Sequence, residues 1–188
     1  MQQGDEQNFP HYAFLSWENT WHGWGNVQSY ALLQAYSVIH DQYLLTAALH
    51  EIDHFYIYLY QHQYLSGFSL QNEGDKIKVI SQQQFSQIAY ILRPMVWACL
   101  QAGIITGNSR YAEQAAQLAG WFFGDNPAKK PVYDPRTGRC FDGINSAEKI
   151  NENSGAESTI EALLTLVRIE QNTTARIHLS EYLQLKSK

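Results

Sequence analysis

Hydrophobic residues recur at helical spacing through most of this chain, and this periodicity constrains its fold more than any other feature. Short connections join the segments within each of three consecutive pairs, so paired helices should run antiparallel. The spacing predicts six helices, at about Val27 to His40, Gln42 to Gln61, Gln83 to Ile105, Ser109 to Phe123, Gly155 to Glu170, and Thr173 or Thr174 to Leu185. The sequence therefore predicts an all-α fold of about three alpha/alpha hairpins.

Two residues mark features of these helices. Pro94 lies inside the third predicted helix and is expected to kink or divide it, because proline lacks the N–H that a helix interior needs. Gly124 follows the fourth, where glycine readily takes the left-handed conformation after a helix end. Apart from these helices, we expect strands only in a short hairpin within one long loop.

Composition bounds the class of protein. A chain of 188 residues with 45% hydrophobic and 16% charged residues can bury one core, so we expect a single domain over residues 1–188. The net charge of -5 and the scattered basic residues argue against nucleic acid as a partner. Two cysteines are too few for a disulfide framework, and neither a leader nor a membrane-spanning run is evident. We therefore expect a cytoplasmic protein with no membrane partner.

The stretch from Asp125 to Ser154 is the candidate functional region, because irregular connections of this length are uncommon in compact domains unless they bind or react with something. Its segment Tyr133-Asp134-Pro135-Arg136-Thr137-Gly138 predicts a short hairpin closed by a Pro/Gly turn. The segment Cys140-Phe141-Asp142-Gly143 follows shortly after it. Aromatic and carboxylate side chains are therefore expected together in this loop.

The loop and the helix after it resemble a known group of proteins. The matching residues are Trp121-Phe122-Phe123-Gly124-Asp125-Asn126, Tyr133-Asp134-Pro135, Thr137-Gly138, Cys140, Asp142-Gly143, Asn151, Asn153 and Gly155-Ala156-Glu157-Ser158-Thr159, with a looser match over Trp17 to Ala35. They resemble the C-terminal part of six-hairpin glycosidase-like (alpha/alpha toroid) proteins, a group often encoded beside glycosyltransferases. The resemblance implies a carbohydrate-acting toroid whose sugar cleft lies at the mouth formed by these loops.

The chain departs from that pattern in its length. A complete toroid has six helical hairpins, whereas this sequence predicts three. The resemblance therefore implies that the chain is half or part of a toroid, completed either by a missing N-terminal half or by a second copy in a homodimer.

Glycoside hydrolysis needs a carboxylic acid that protonates the leaving oxygen and a carboxylate that attacks or activates water. Glu157 is the candidate proton donor, Asp142 the candidate base, and Asp134 a third candidate. Each has an ordinary structural alternative. Ser154 and Glu157 fit a capping box, and Asp134 and Asp142 precede turn residues and can simply bond nearby amides.

Aromatic rings and amides suit sugar rings, which present C–H faces edged by hydroxyls. The candidate substrate-binding residues are Trp17, Trp21, His22, Asn26, Tyr133, Asn151 and Asn153. The alternative is that the tryptophans cover the core and that the asparagines only fix the loop backbone.

A second motif competes with this interpretation. His50-Glu51-Ile52-Asp53-His54 matches the H-E-x-x-H pattern of zinc metallopeptidases, in which two imidazoles bind the metal and the glutamate is the general base. No Gly-Xaa-Xaa-His continuation follows. The same letters also describe a polar helix face.

The leading prediction is a carbohydrate-active, glycoside hydrolase-like protein that acts on an oligo- or polysaccharide and needs neither a cofactor nor a metal. The alternatives are a non-catalytic carbohydrate-binding or assembly module and, third, a zinc metallopeptidase.

Overall fold

The computed structural model describes residues 2–74 and 76–186 and divides the chain into two compact units, Met1–Gln87 and Ile88–Lys188. It is 52% helical with 20% strand in four small sheets. The fold is therefore mixed α/β, and the prediction of an all-α protein was wrong. The single-domain assignment over residues 1–188 stays a prediction.

The first unit combines a broken helical hairpin with a small sheet. Its strands are β1 (Gln2–Gln3), β2 (Ala13–Phe14), β3 (Thr20–His22), β4 (Gly67–Glu73) and β5 (Lys76–Gln83). Its helices are a 3-10 turn (Gly23–Gly25), α1 (Gln28–Ile39), α2 (Gln42–His50), a π-helical segment (Glu51–Phe55) and α3 (Tyr56–Gln61). Helices α1 and α2 pack together, and the Asp41 side chain caps α2 by accepting a hydrogen bond from the Tyr43 N–H at 2.9 Å.

The sheet of order β3-β4-β5 is the main feature that the periodicity missed. Only Phe68 and Leu70 of β4 are buried, and every residue of β5 is exposed. A strand without a buried face needs no alternation of apolar and polar residues, so its sequence carries no period-two signal.

The second unit contains two packed helical pairs. Its helices are a 3-10 turn (Ala89–Ile91), α4 (Leu92–Thr106), α5 (Arg110–Ala119) followed by a 3-10 turn (Gly120–Phe123), α6 (Ala156–Gln171) and α7 (Thr173–Lys186). Helix α4 packs on α5 and α6, and α5 packs on α7. The predicted helical pairing is confirmed in this unit.

Pro94 lies in the first turn of α4 and not in the interior of a longer helix, where the sequence prediction put it. Helix α4 begins at Leu92, so Pro94 lies in its first turn, where backbone N–H groups have no partner within the helix. The stretch Ala89–Thr106 is the one helix of the described residues long and apolar enough to cross a membrane, with 56% of it buried inside the protein. A helix at the centre of a packed core has the same length and composition.

The long connection before α6 contains two hairpins rather than one. The predicted hairpin is confirmed as β7 (Tyr133–Asp134) paired with β8 (Arg139–Cys140), and Gly138 takes a φ of 73° in its turn. A second hairpin pairs β9 (Gly143–Ser146) with β10 (Lys149–Asn151). The two-residue strand β6 (Gln87–Ile88) lies where the chain passes from one unit to the other. The hairpins bring the loop residues to the beginning of α6.

Candidate functional site

A cavity of about 370 Å³ lies at the beginning of α6 in the second unit. The side chains and backbone that matter for its chemistry belong to Tyr90, Asp142, Asn151, Gly155, Glu157 and Ser158. The volume is within the usual range for small-molecule sites, roughly 300–1,000 Å³. Three of the residues predicted from the sequence, Asp142, Asn151 and Glu157, therefore line one cavity.

Asp142 is held rigidly at the start of α6. Its Oδ1 accepts hydrogen bonds from the Gly155 N–H at 2.9 Å and from the Ser158 hydroxyl at 2.5 Å. Its backbone is fixed as well, because its N–H donates to the Asn153 carbonyl and its carbonyl accepts from the Ala89 N–H. Asp142 thus satisfies an N–H group at a helix start that the helix itself leaves unpaired.

The second oxygen of Asp142 remains available for chemistry. Within residues 2–74 and 76–186, Oδ2 accepts no hydrogen bond, and the Asp142 side chain is only partly buried. A carboxylate fixed through one oxygen and open through the other is suited to orient water or to attack a substrate.

Glu157 lies in the first turn of α6, is exposed, and lines the same cavity. It makes no hydrogen bond or ion pair among the residues that the structure describes. The capping-box interpretation does not hold, because the helix starts after Gly155 and the Ser154 hydroxyl donates to the Cys140 carbonyl. The Glu157 carboxyl is therefore free to meet a ligand.

Asn151 and Asn153 serve the loop as well as the cavity. The Asn151 side chain accepts a hydrogen bond from the Asn153 N–H at 3.3 Å, and the Asn153 carbonyl accepts one from Asp142. Asn151 lines the cavity, while the exposed Asn153 positions Asp142 through its backbone.

Sequence reasoning missed Tyr90. It lay inside the third predicted helix, whereas the structure places it in the 3-10 turn before α4, where it lines the cavity. The Arg93 guanidinium lies 5.5 Å from the Tyr90 ring centre and forms a largely buried ion pair with Glu161. No local pattern marks such a position, because only the packing of α4 against α6 decides which side of the turn meets the cavity.

Asp134 and Tyr133 lie outside this cavity. Asp134 accepts hydrogen bonds from the backbone N–H and the side chain of Arg136, and these bonds lower the pKa of its carboxyl. Tyr133 lines a different cavity of about 580 Å³ and packs edge-on against Phe123. Asp134 thus behaves as a turn residue, and its catalytic role stays a prediction.

The predicted aromatic residues lie in the first unit. Trp21 is fully buried and stacks on Phe68 at 5.6 Å, and Asn26 is also buried. Trp17 is 70% exposed, and His22 stacks on the half-exposed Trp24 at 4.6 Å. Burial lowers the pKa of His22, so its imidazole favours the neutral form. Exposed rings suitable for a sugar face are therefore present at Trp17 and Trp24, but the Trp21 ring is closed off.

The residues of the H-E-x-x-H segment take part in hydrogen bonding and ring packing. Glu51 is buried and accepts hydrogen bonds from the Phe14 N–H at 2.7 Å and the Ser29 hydroxyl at 2.6 Å. The Tyr12 ring stacks on His50 and contacts His54. Among residues 2–74 and 76–186, no group of three or more His, Cys, Asp or Glu could hold a metal ion.

Cys140 is fully buried beside the site. Burial, together with the nearby Asp142 carboxylate, raises the pKa of its thiol to about 12. A thiol with so high a pKa is a poor nucleophile at neutral pH. Cys140 is therefore a packing residue of the β8 strand.

No protein-family model matches the sequence, and no curated protein matches it. In structure, the chain is similar to a glycoside hydrolase family 76 protein (mannosidase) from Bacteroides thetaiotaomicron VPI-5482, with a TM-score of 0.57 and 13% identity. The match covers 95% of this chain and 48% of that structure, so the chain spans about half of its length. At this identity the likeness concerns the fold alone.

Proposed function

We propose that this chain is a carbohydrate-active protein whose glycoside hydrolase-like site is the cavity at the beginning of α6. The single observation that carries the proposal is that Asp142 and Glu157 line one cavity, one carboxylate fixed and the other free. The fold likeness to a glycoside hydrolase supports carbohydrate as the ligand class.

In this proposal the two carboxyl groups have different catalytic roles. Glu157 is exposed at the cavity and can give its proton to the leaving glycosidic oxygen. Asp142 is held by Gly155 and Ser158 through one oxygen, and its open oxygen would activate water or attack the sugar. Asn151 supplies an amide for sugar hydroxyls, and the Tyr90 ring supplies an apolar face.

A test is release of reducing sugar from a panel of oligo- and polysaccharides. Mannose-containing glycans come first, because the structural neighbour carries the description mannosidase. We expect Asp142→Asn and Glu157→Gln to abolish the release and Asp134→Asn to retain it. Activity that survives both of the first two substitutions contradicts the assignment.

The alternative function is a non-catalytic carbohydrate-binding or assembly module. It is favoured by the role of Asp142 as a cap of α6 and by the chain's span of about half of its neighbour (48%). In that case glycan binding persists in Asp142→Asn, and the wild type releases no sugar from any glycan that it binds.

A partner could complete the toroid. Four apolar residues at helical spacing on α6 are between 39% and 52% exposed: Ile160, Leu163, Leu164 and Val167. We propose that a second copy of the chain, or a further stretch of a longer protein, covers this face. Analytical ultracentrifugation distinguishes the two, since only the first predicts that the 188-residue chain forms a dimer.

A further inference from the structure

A second cavity of about 510 Å³ adjoins the candidate site in the second unit. Asn151 lines both cavities, so the two share a wall at the end of β10. The second one is formed by the β9–β10 hairpin and by Lys130 from the preceding loop.

The two adjoining cavities differ in chemistry. The first contains the Tyr90 ring beside Ile88 and Ala89, whereas the second contains two ammonium groups, two carboxylates and two amides. The charged residues of the second cavity are Lys130, Glu148, Lys149 and Glu152. Their side chains make no hydrogen bond or ion pair within the described part of the chain. They are therefore available as donors and acceptors for a ligand.

The proposed reaction itself requires a second place for the substrate. A glycosidic bond joins two sugar units, and the acid and the base act on the bond between them. Asp142 and Glu157 both line the first cavity, so the cleaved bond lies there. The two sugar units that this bond joins extend to either side of it, and the second unit needs an adjoining space. The cavity beyond Asn151 is such a space.

We propose that the two adjoining cavities form one groove and that this groove binds at least two consecutive sugar units, one beside Tyr90 and the next in the cavity of Lys130 and Lys149. This inference rests on the proposed function and adds the class of substrate. Since its lining carries two ammonium groups and two carboxylates, the second cavity has no formal net charge and favours a neutral, hydroxyl-rich unit over a uronate or a sulfated sugar.

The test measures affinity against ligand length. The full chain is first applied to an array of neutral and acidic glycans, and calorimetry then compares mono-, di- and trisaccharides of the sugar that binds. We expect the disaccharide to bind at least about tenfold more tightly than the monosaccharide, since a few added hydrogen bonds contribute about 1.4 kcal/mol or more.

Paired variants locate the second unit. Lys130→Ala and Lys149→Ala should weaken disaccharide binding about three- to tenfold and leave monosaccharide binding unchanged. Lys129→Ala is the matched control, because Lys129 is the exposed neighbour of Lys130 and does not line the cavity. It should change neither affinity.

The possible failures are distinct. Equal affinity for all lengths, or disaccharide binding insensitive to both lysine substitutions, overturns the extended groove but leaves the proposed function standing. Tighter binding of acidic glycans overturns the neutral unit. A wild-type chain that binds no glycan overturns the proposed function and this inference with it.

Discussion

Asp142 in the second unit and Glu51 in the first each accept a hydrogen bond from a backbone N–H and from a serine hydroxyl. The difference lies in burial and in how the oxygens are used. Glu51 is 1% exposed and uses both oxygens, whereas Asp142 is partly exposed and uses Oδ1 for both bonds. Similar hydrogen bonding thus produces a structural carboxyl in one unit and an available one in the other.

The largest expected effect is on enzymatic activity, which should depend on Asp142 and not on Glu51. If Asp142 is the base, Asp142→Asn should lower kcat/KM by about 10²–10⁴-fold, as expected when a general base is lost. The amide oxygen can still accept from Gly155 and Ser158, so the free energy of unfolding should change little. Activity assays measure the loss of kcat/KM, and urea unfolding in parallel measures the free energy of unfolding.

Glu51→Gln is the reciprocal variant. It should retain glycan cleavage within about twofold, since Glu51 belongs to the core of the first unit. A loss of activity as large as that of Asp142→Asn, in a folded protein, would break the comparison.

The next effect is the pH dependence of stability. Burial raises the pKa of Glu51 from 4.5 to about 7, against the hydrogen bonds from Phe14, Ser29 and Tyr56, which lower it. The folded chain therefore holds this proton more tightly than the unfolded chain. Its contribution to stability is fully present below pH 4.5 and is lost as the pH rises to about 7, a change of about 3 kcal/mol.

Denaturant unfolding at intervals between pH 4.5 and 7.5 measures this slope. Glu51→Gln should flatten it, whatever the absolute stability of the variant, because the glutamine amide does not titrate. An unchanged slope in this variant would assign the pH dependence to other groups.

A smaller effect on stability is expected when the hydroxyl of either Ser29 or Ser158 is removed. Ser29→Ala removes a donor from a buried carboxyl that water cannot reach, and it should cost about 1.5–3 kcal/mol at pH 7.5. Ser158→Ala removes the equivalent donor from the partly exposed Asp142, where water can replace it, and should cost about 1 kcal/mol. Equal losses in thermal unfolding would contradict the role of burial.

The smallest effect concerns Gly155. A Cβ built there meets Asp142 Oδ1 at 3.5 Å, an ordinary contact, and the backbone φ of -78° suits any residue. Gly155→Ala should therefore shift stability by less than about 0.5 kcal/mol and retain activity. A large loss of activity would mean that the cavity needs more room at the start of α6 than the structure shows.

Much of the fold could be predicted from local sequence. The helices over residues 28–39, 92–106 and 156–171 follow from apolar spacing, and the hairpin at residues 133–140 follows from its Pro/Gly turn. The sheet containing β4 and β5 could not be predicted, because β5 has no buried face to impose alternation. The residue at which β6 ends and the position of Tyr90 depend on tertiary packing and not on the spacing of apolar residues.

Part of the candidate site could likewise be predicted from the sequence, and part could not. Asp142, Asn151 and Glu157 could be selected from the loop and its resemblance, since turn and first-turn carboxylates are visible in a sequence. The buried state of Trp21 and the function of Glu51 could not, because both depend on which neighbours cover them.

The sequence by itself determined the helical pairs and the acidic, amide-rich connection before α6, because both follow from residue spacing and from local turn chemistry. Only the tertiary structure decided that Asp142 caps a helix thirteen residues further along while Glu157 stays free. The physical reason is that hydrogen-bond partners distant in sequence, and the access of water to each carboxyl, arise only when the chain has folded.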